Sequence, residues 1–289
     1  MAKKSKKEKK APNIVVFLVE GESDQIVLDV PMGNMIAQKY PDFQVRFLLQ
    51  QKLVNKSGEE VEDGDSDEDD EFIGEDEYAK GGDITSSFYV TPDKIETKIH
   101  NRFIKPATKA EGIYPKRIAR IIQIVDLDGA FLPDECVVPL STDHLDQIDP
   151  FYNDEKGTIE APNVLSIRER NDRKRRNIDY LLSLTEKGIK IGHNTIPYEI
   201  YYFSSNLDHF IHNDANMKKN KKSKAKAFVR DYGLDTNKYC KYFFDDSSSI
   251  GHLGYKGSWE EIKKGTNSVN RFTNIDCLIR RVIETEWLS

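Results

Sequence analysis

Asn13-Ile-Val-Val-Phe-Leu-Val19 runs directly into Glu20-Gly21-Glu22-Ser23-Asp24. The first seven residues are rich in β-branched and aromatic side chains with no polar alternation, which is how a strand buried on both faces of a parallel sheet reads. Gly21 breaks the run, and Ser23 is placed to cap a helix that starts near Asp24 and carries Ile26, Val27 and Val30. The pattern returns at Arg117-Ile-Ala-Arg-Ile-Ile-Gln-Ile-Val125, a second buried-type strand that stops at Asp126-Leu127-Asp128-Gly129. Phe43 to Leu49 and Ile196 to Phe203 read as further strands. Asp93 to Ile104 has helical spacing at Ile95, Ile99 and Phe103, and Asn163 to Lys187 reads as a helix with an apolar stripe at Ile178, Leu181, Leu182 and Leu184. Strands alternating with helices predict an α/β fold, a mostly parallel sheet flanked by helices. Working residues in such sheets gather beyond the carboxyl ends of the strands, and Glu20, Asp126 and Asp128 fall there.

The net charge of −6 over 289 residues hides an uneven distribution. Between Glu59 and Glu77 stand thirteen acidic residues and no basic one, so removing that segment leaves the rest of the chain at +7. The stretch reads as a solvated, disordered insertion from about 52 to 82, with a nucleic-acid mimic covering a basic surface as the sharper alternative. Residues 1–12 read as a basic disordered tail, 13–215 as the core, and 216–289 as a basic, mainly helical C-terminal region. The longest apolar run, Ile14 to Val19, is too short for a membrane span, and the N-terminus lacks the apolar stretch of a signal peptide, so a cytoplasmic protein is expected. Cys136, Cys240 and Cys277 are far apart and form no C-x-x-C pair, which argues against a disulfide framework and a structural zinc site.

Several carboxylates brought to one place repel each other, and a cation relieves the repulsion. Oxygen-only ligands select hard ions, so Mg²⁺ or Mn²⁺ is expected. Such ions serve phosphoryl-transfer chemistry by clamping the attacking and leaving oxygens.

Val19-Glu20-Gly21-Glu22-Ser23-Asp24 and Val125-Asp126-Leu127-Asp128 together resemble the Toprim fold, with its glutamate-glycine after the first strand and Asp-x-Asp after a later one. The second acid one turn after the glutamate, Asp24, is similar to the first motif of the overcoming-lysogenization-defect nucleases. The likeness extends to small Toprim nucleases of antiphage and abortive-infection systems. Tyr201-Tyr-Phe-Ser-Ser-Asn-Leu-Asp208 resembles the strand ending in Ser-Asn beside their metal site, with Asp208 standing where a Ser-x-Glu acid is absent. The resemblance covers about half the chain in three short islands, and Glu20 and Asp126 are further apart than a compact Toprim core needs. It implies a metal-dependent nuclease of a bacterial antiphage system, acting on DNA or structured RNA such as tRNA. Glu20, Asp126 and Asp128 would hold Mg²⁺, Asp24 would hold a second ion or orient the first, and Asp208 would complete the site. With no P-loop in the chain, an ABC-type or SMC-like ATPase from the same operon is the expected partner, and a homodimer is plausible in that family. The alternative is a non-catalytic, Toprim-shaped nucleic-acid-binding or regulatory subunit. A primase-like nucleotidyl transferase and a topoisomerase fit less well, since neither a zinc module nor strand-passing domains are visible.

Asp126-Leu127-Asp128-Gly129 also matches the start of a haloacid-dehalogenase phosphatase, or a plain strand-end turn. His209 and His212 share a helix face near Asp208 but lack a third nitrogen or thiolate donor, which favours a structural role. Arg168, Arg170, Arg173, Lys174, Arg175 and Arg176, with Lys218, Lys219, Lys221 and Lys222, flank the strand beside the acids. They are either solvated faces or phosphate contacts. Tyr201, Tyr202, Tyr239 and Tyr242 are core residues or base-stacking platforms.

Overall fold

The computed structural model describes residues 13–55, 57, 59–61, 77–145, 147–284, 287 and 288. In chain order come β1 (Asn13–Val19), α1 (Glu22–Lys39), β2 (Phe43–Leu49), the short strands β3 (Gln51–Val54) and β4 (Glu77–Lys80), α2 (Ile95–Ile99), α3 (Lys105–Glu111) and β5 (Ile118–Asp126). Next are β6 (Val137–Pro139), β7 (Phe151–Asn153), β8 (Thr158–Ala161), α4 (Val164–Ser183), β9 (Ile189–Ile191), β10 (Asn194–Ile196) and β11 (Tyr198–Phe203). The chain closes with α5 (Leu207–His212), α6 (Lys221–Phe228), α7 (Thr236–Asp245), α8 (Gly254–Ile262) and α9 (Ile275–Glu284).

The main sheet has the order β11-β5-β1-β2, and every neighbouring pair is parallel. Its central strand β1 is buried on both faces, as the unbroken apolar run predicts. Ile14, Val16 and Leu18 pack with α2, α3 and α4 through Ile95, Ile99, Ala107, Ile178 and Leu181. Val15, Phe17 and Val19 pack the other way, against Val27, Leu28 and Met32 of α1 and against Phe210, Phe228, Phe243, Ile275 and Leu278. The C-terminal helices therefore share the sheet's core, and the line drawn near residue 215 does not divide two cores.

β11 forms one edge of the sheet, and side chains together with the backbone of residues 272–274 occupy its outward backbone groups. The Tyr255 hydroxyl accepts from the Ile200 amide and donates to the Ile200 carbonyl. Asn274 accepts from the Tyr202 amide, Thr273 donates to the Tyr202 carbonyl, and the Ser204 amide reaches the Phe272 carbonyl.

Two boundaries differ from expectation. The first helix begins at Glu22 with Gly21 as its cap residue, and Asp24, not Ser23, accepts the hydrogen bond from the Gly21 amide. The insertion is not without structure throughout, because β3 and β4 pair as an antiparallel hairpin within it. Its middle, 62–76, and the tail 1–12, where disorder is expected, lie outside the described residues. Among the described residues no helix is long and apolar enough to cross a membrane.

Candidate metal centre

After β1 the chain moves to β2 on one side, then returns to β5 on the other. The gap between β1 and β5 at their carboxyl ends is thus a switch point where an open α/β sheet forms its binding crevice. Glu20 follows β1 and Asp126 ends β5, and the Asp126 amide donates to Glu20 Oε1 at 3.2 Å. Asp126 Oδ1 in turn accepts from the Leu207 amide at 3.0 Å, fixing the start of α5. Leu127 points down into the core, while Asp128 sits in the left-handed region at φ 50°. Aspartate tolerates that conformation better than most residues. Gly129 follows at φ 71°, where a Cβ would lie 2.6 Å from Ile159 Cδ1. The Asp-Leu-Asp-Gly turn is thereby bent so that both acids stay at the sheet's upper edge.

A further acid arrives from the insertion. Gly81 and Gly82 take φ of 88° and 107°, and the Gly82 amide donates to the Glu20 carbonyl at 2.8 Å. A Cβ on Gly81 would stand 3.1 Å from that same carbonyl oxygen. The return arm of the hairpin thus lies against the end of β1 and delivers Asp83. Glu20, Asp83 and Asp128 each bring a carboxylate oxygen within 4.8 Å of the others, a group able to hold a metal ion.

Lys174 of α4 stands among these acids. Its ammonium is 2.8 Å from Asp83 Oδ2 and 2.7 Å from Asp128 Oδ2, and the side chain is 0% exposed. It therefore does not serve as the surface phosphate contact that the basic cluster suggested. Its neighbours on α4 also have structural work. Arg170 donates to the Asp128 carbonyl, Asn171 to the Gly129 carbonyl and Asn177 to the Thr85 and Val90 carbonyls. Arg168 donates to the Val137 carbonyl and Arg173 to the Ser86 carbonyl, and Arg175 and Arg176 pair with Asp172. A small sheet, β6-β8-β7, carries Tyr152, whose hydroxyl donates to Asp128 Oδ1 at 3.1 Å.

On the other side of Asp126 lie Asp24 and Asp208, both buried, and Lys221, whose ammonium is 2.8 Å from Asp208 Oδ2. Asp208 Oδ1 is buried without a hydrogen-bonding partner among the described residues. A cavity of about 440 Å³ opens here, lined by Glu20, Asp24, Asp126 and Asp208 with Lys80, Lys221 and Lys222 at its rim. Asp83, Asp128 and Lys174 do not line it.

The charges are unevenly balanced along this edge. Asp83 is held down at about 2: burial works to raise it, but Lys174 outweighs burial, with hydrogen bonds from Ser86 and Thr85 adding to the effect. Glu20 and Asp126 are raised well above ordinary carboxylates, first by enclosure and then by neighbouring acids, Asp83 foremost for Glu20 and Asp24 foremost for Asp126. Asp24 is pushed up to about 7 by burial, with Asp208 contributing, against the Gly21 hydrogen bond. Lysines thus satisfy the two ends of the row while the middle lacks positive charge, which is the environment a divalent cation relieves.

No family model, curated protein or solved structure matches this chain.

The expected acids Glu20, Asp24, Asp126, Asp128 and Asp208 all come to this edge, and Asp83 and Lys174 join them unforeseen. His209 is buried, bonded to Ser205 Oγ at 3.0 Å and Asp154 Oδ2 at 3.2 Å, in keeping with a structural role. Tyr201, Tyr202 and Tyr239 are core residues. Lys218 is exposed and pairs with Gln147 and Asp149; Lys219 and Lys222 are also exposed, Lys222 against Glu22.

Proposed function

We propose that the chain is a divalent-cation-dependent nuclease with a Toprim-like core. The observation that carries this reading is the pair Glu20 and Asp126 at the switch point, bonded to one another and facing a cavity, with no cation of the protein within ion-pair distance among the described residues. The all-parallel sheet supports it, as does the order in which Glu20-Gly21 and Asp126-Leu127-Asp128 follow its strands.

The donor set is all carboxylate oxygen, which fits Mg²⁺ or Mn²⁺ and not a softer ion. When bound, the cation would neutralise the acids and polarise a phosphodiester. Glu20 and Asp126 would hold it from opposite strands, and Asp24 and Asp208 would orient it from the far wall. Lys80, Lys221 and Lys222 ring the cavity mouth, where ammonium groups attract a phosphate backbone irrespective of sequence. On this reading the substrate is DNA or structured RNA such as tRNA, the setting is antiphage defence, and energy comes from a separate ABC-type or SMC-like ATPase.

The test is incubation of the full chain with labelled duplex DNA and tRNA, in Mg²⁺, Mn²⁺ or EDTA, beside Glu20→Gln and Asp126→Asn. The expected result is cation-dependent cleavage of one substrate class that both variants lose. Cleavage undiminished in both variants would overturn the reading. Metal-independent binding without cleavage, unchanged in both variants, would replace it with a non-catalytic nucleic-acid-binding subunit.

A further inference from the structure

The lysines near the acidic edge differ in their freedom to move. Lys80, Lys221 and Lys222 line the cavity mouth, and the Lys221 side chain is 45% exposed, free to turn toward solvent. Lys174 is fully enclosed, and α4 is clamped on both sides of it. Arg170 and Asn171 grip the Asp128-Gly129 backbone one turn before, and Asn177 grips the Thr85 and Val90 carbonyls one turn after. The stem of Lys174 has no route outward.

We propose that the Lys174 ammonium permanently fills the ion position framed by Glu20, Asp83 and Asp128, so that the centre takes a single divalent cation, held from the cavity side by Glu20 and Asp126. The inference rests on the metal-centre reading above and deepens it. Lys174 stands 2.8 Å and 2.7 Å from one oxygen of Asp83 and one of Asp128, so its ammonium already bridges two of the three acids whose oxygens lie close enough together to share a metal. A hard cation sits at roughly 2.1 Å from its oxygens. An ion bonded to those same oxygens would face the ammonium across a few ångströms with nothing between them. The other oxygen of Asp83 accepts from Thr85, and that of Asp128 accepts from Tyr152; Asp83 Oδ2, buried and without a hydrogen bond among the described residues, has the Lys174 ammonium as its ion-pair partner. On the cavity side Asp208 Oδ1 is buried with neither a hydrogen bond nor an ion pair among the described residues, and the lysine paired with its other oxygen, Lys221, is 45% exposed. Lys174 is thus a positioning residue, setting the number of ions and leaving Glu20 free to face the cavity.

The experiment is titration of the metal-free full chain with Mn²⁺, without nucleic acid, reading stoichiometry by calorimetry and by electron paramagnetic resonance. The wild type is expected to bind one ion per chain, and Asp83→Asn is expected to keep it. Lys174→Met is expected to bind two, the second between Asp83 and Asp128, and to gain more thermal stability from Mn²⁺ than the wild type does. Two ions in the wild type, one ion in a folded Lys174→Met, or loss of the ion in Asp83→Asn would overturn the proposal. Should Lys174→Met not fold, the wild type and Asp83→Asn decide alone. The underlying metal-centre reading fails differently: the wild type binds no ion, or Glu20→Gln binds it unchanged, and either result overturns the inference as well.

Discussion

Acids are buried at both ends of the parallel sheet, and the two ends treat them in opposite ways. At the amino end Glu199 of β11 is met by two guanidiniums, Arg120 and Arg281, and also accepts from Tyr201 and Trp287. At the carboxyl end Glu20, Asp24, Asp83, Asp126, Asp128 and Asp208 have, among the described residues, only Lys174 and Lys221 as ion-pair partners. The first arrangement is complete and holds strands and helix α9 together. The second stores unrelieved repulsion, which the ion binding proposed above would relieve. Compensation, more than burial, separates a structural acid from one poised to act.

That contrast can be broken most sharply at Glu20. Glu20→Gln removes a like charge, so activity is expected to fall ~10²- to 10³-fold, as when a transition-state electrostatic contact is lost. The metal-free melting temperature is expected to hold or rise, and a cleavage assay paired with a thermal melt checks both. If Glu20→Gln instead unfolds the protein, the carboxyl end is as structural as the amino end. Glu199→Gln should do the reverse, stranding two guanidiniums at a cost of about 3 kcal/mol. Thermal melts are expected to show a drop on the order of 6 °C, with activity per folded molecule unchanged.

A smaller effect concerns pH. Asp24 is raised to about 7 in the folded chain and titrates near 3.8 as an ordinary aspartate. The folded state therefore favours the protonated form, and that contribution is present at low pH and lost as pH rises from about 4 to 7. Glu20 and Asp126 act in the same direction. Melts of the metal-free protein between pH 5 and 8 should show stability falling with pH, less so for Asp24→Asn, and flattened by Mg²⁺. A wild-type stability that climbs over this range would show that these acids are compensated after all. The smallest change is expected from Lys221→Met, because the lysine side chain, though paired with the buried Asp208, is itself nearly half exposed: stability within about 1 kcal/mol of wild type. The salt dependence of nucleic-acid affinity, measured as a log–log slope, should drop by about one.

Much of this was legible in the chain. β1 and β5 announce themselves because a strand covered on both faces is rich in β-branched apolar residues, and Glu20, Asp126 and Asp128 are conspicuous as acids where those apolar runs stop. Asp83 was hidden for the opposite reason: it follows an acidic stretch in which one more carboxylate carries no information. Its signal lay in Gly81-Gly82, since paired glycines mark a close backbone approach better than another acid marks a site. Lys174 was obscured by the company of Arg173, Arg175 and Arg176. Helical periodicity does set it apart, because it stands one turn before Ile178 and on the stripe that continues to Leu181, both buried. A lysine on the apolar face of a helix needs an acid waiting beneath it.

The side chains of Tyr255, Thr273 and Asn274 along β11 have a consequence for assembly. A strand from another molecule would need the Ile200 and Tyr202 backbone groups to extend the sheet, and these three residues already hold them. Two copies of this chain cannot merge their sheets through that edge into one continuous ladder. Any self-association there must proceed through side-chain contacts, which can form and separate without unravelling the strand that ends beside Asp126.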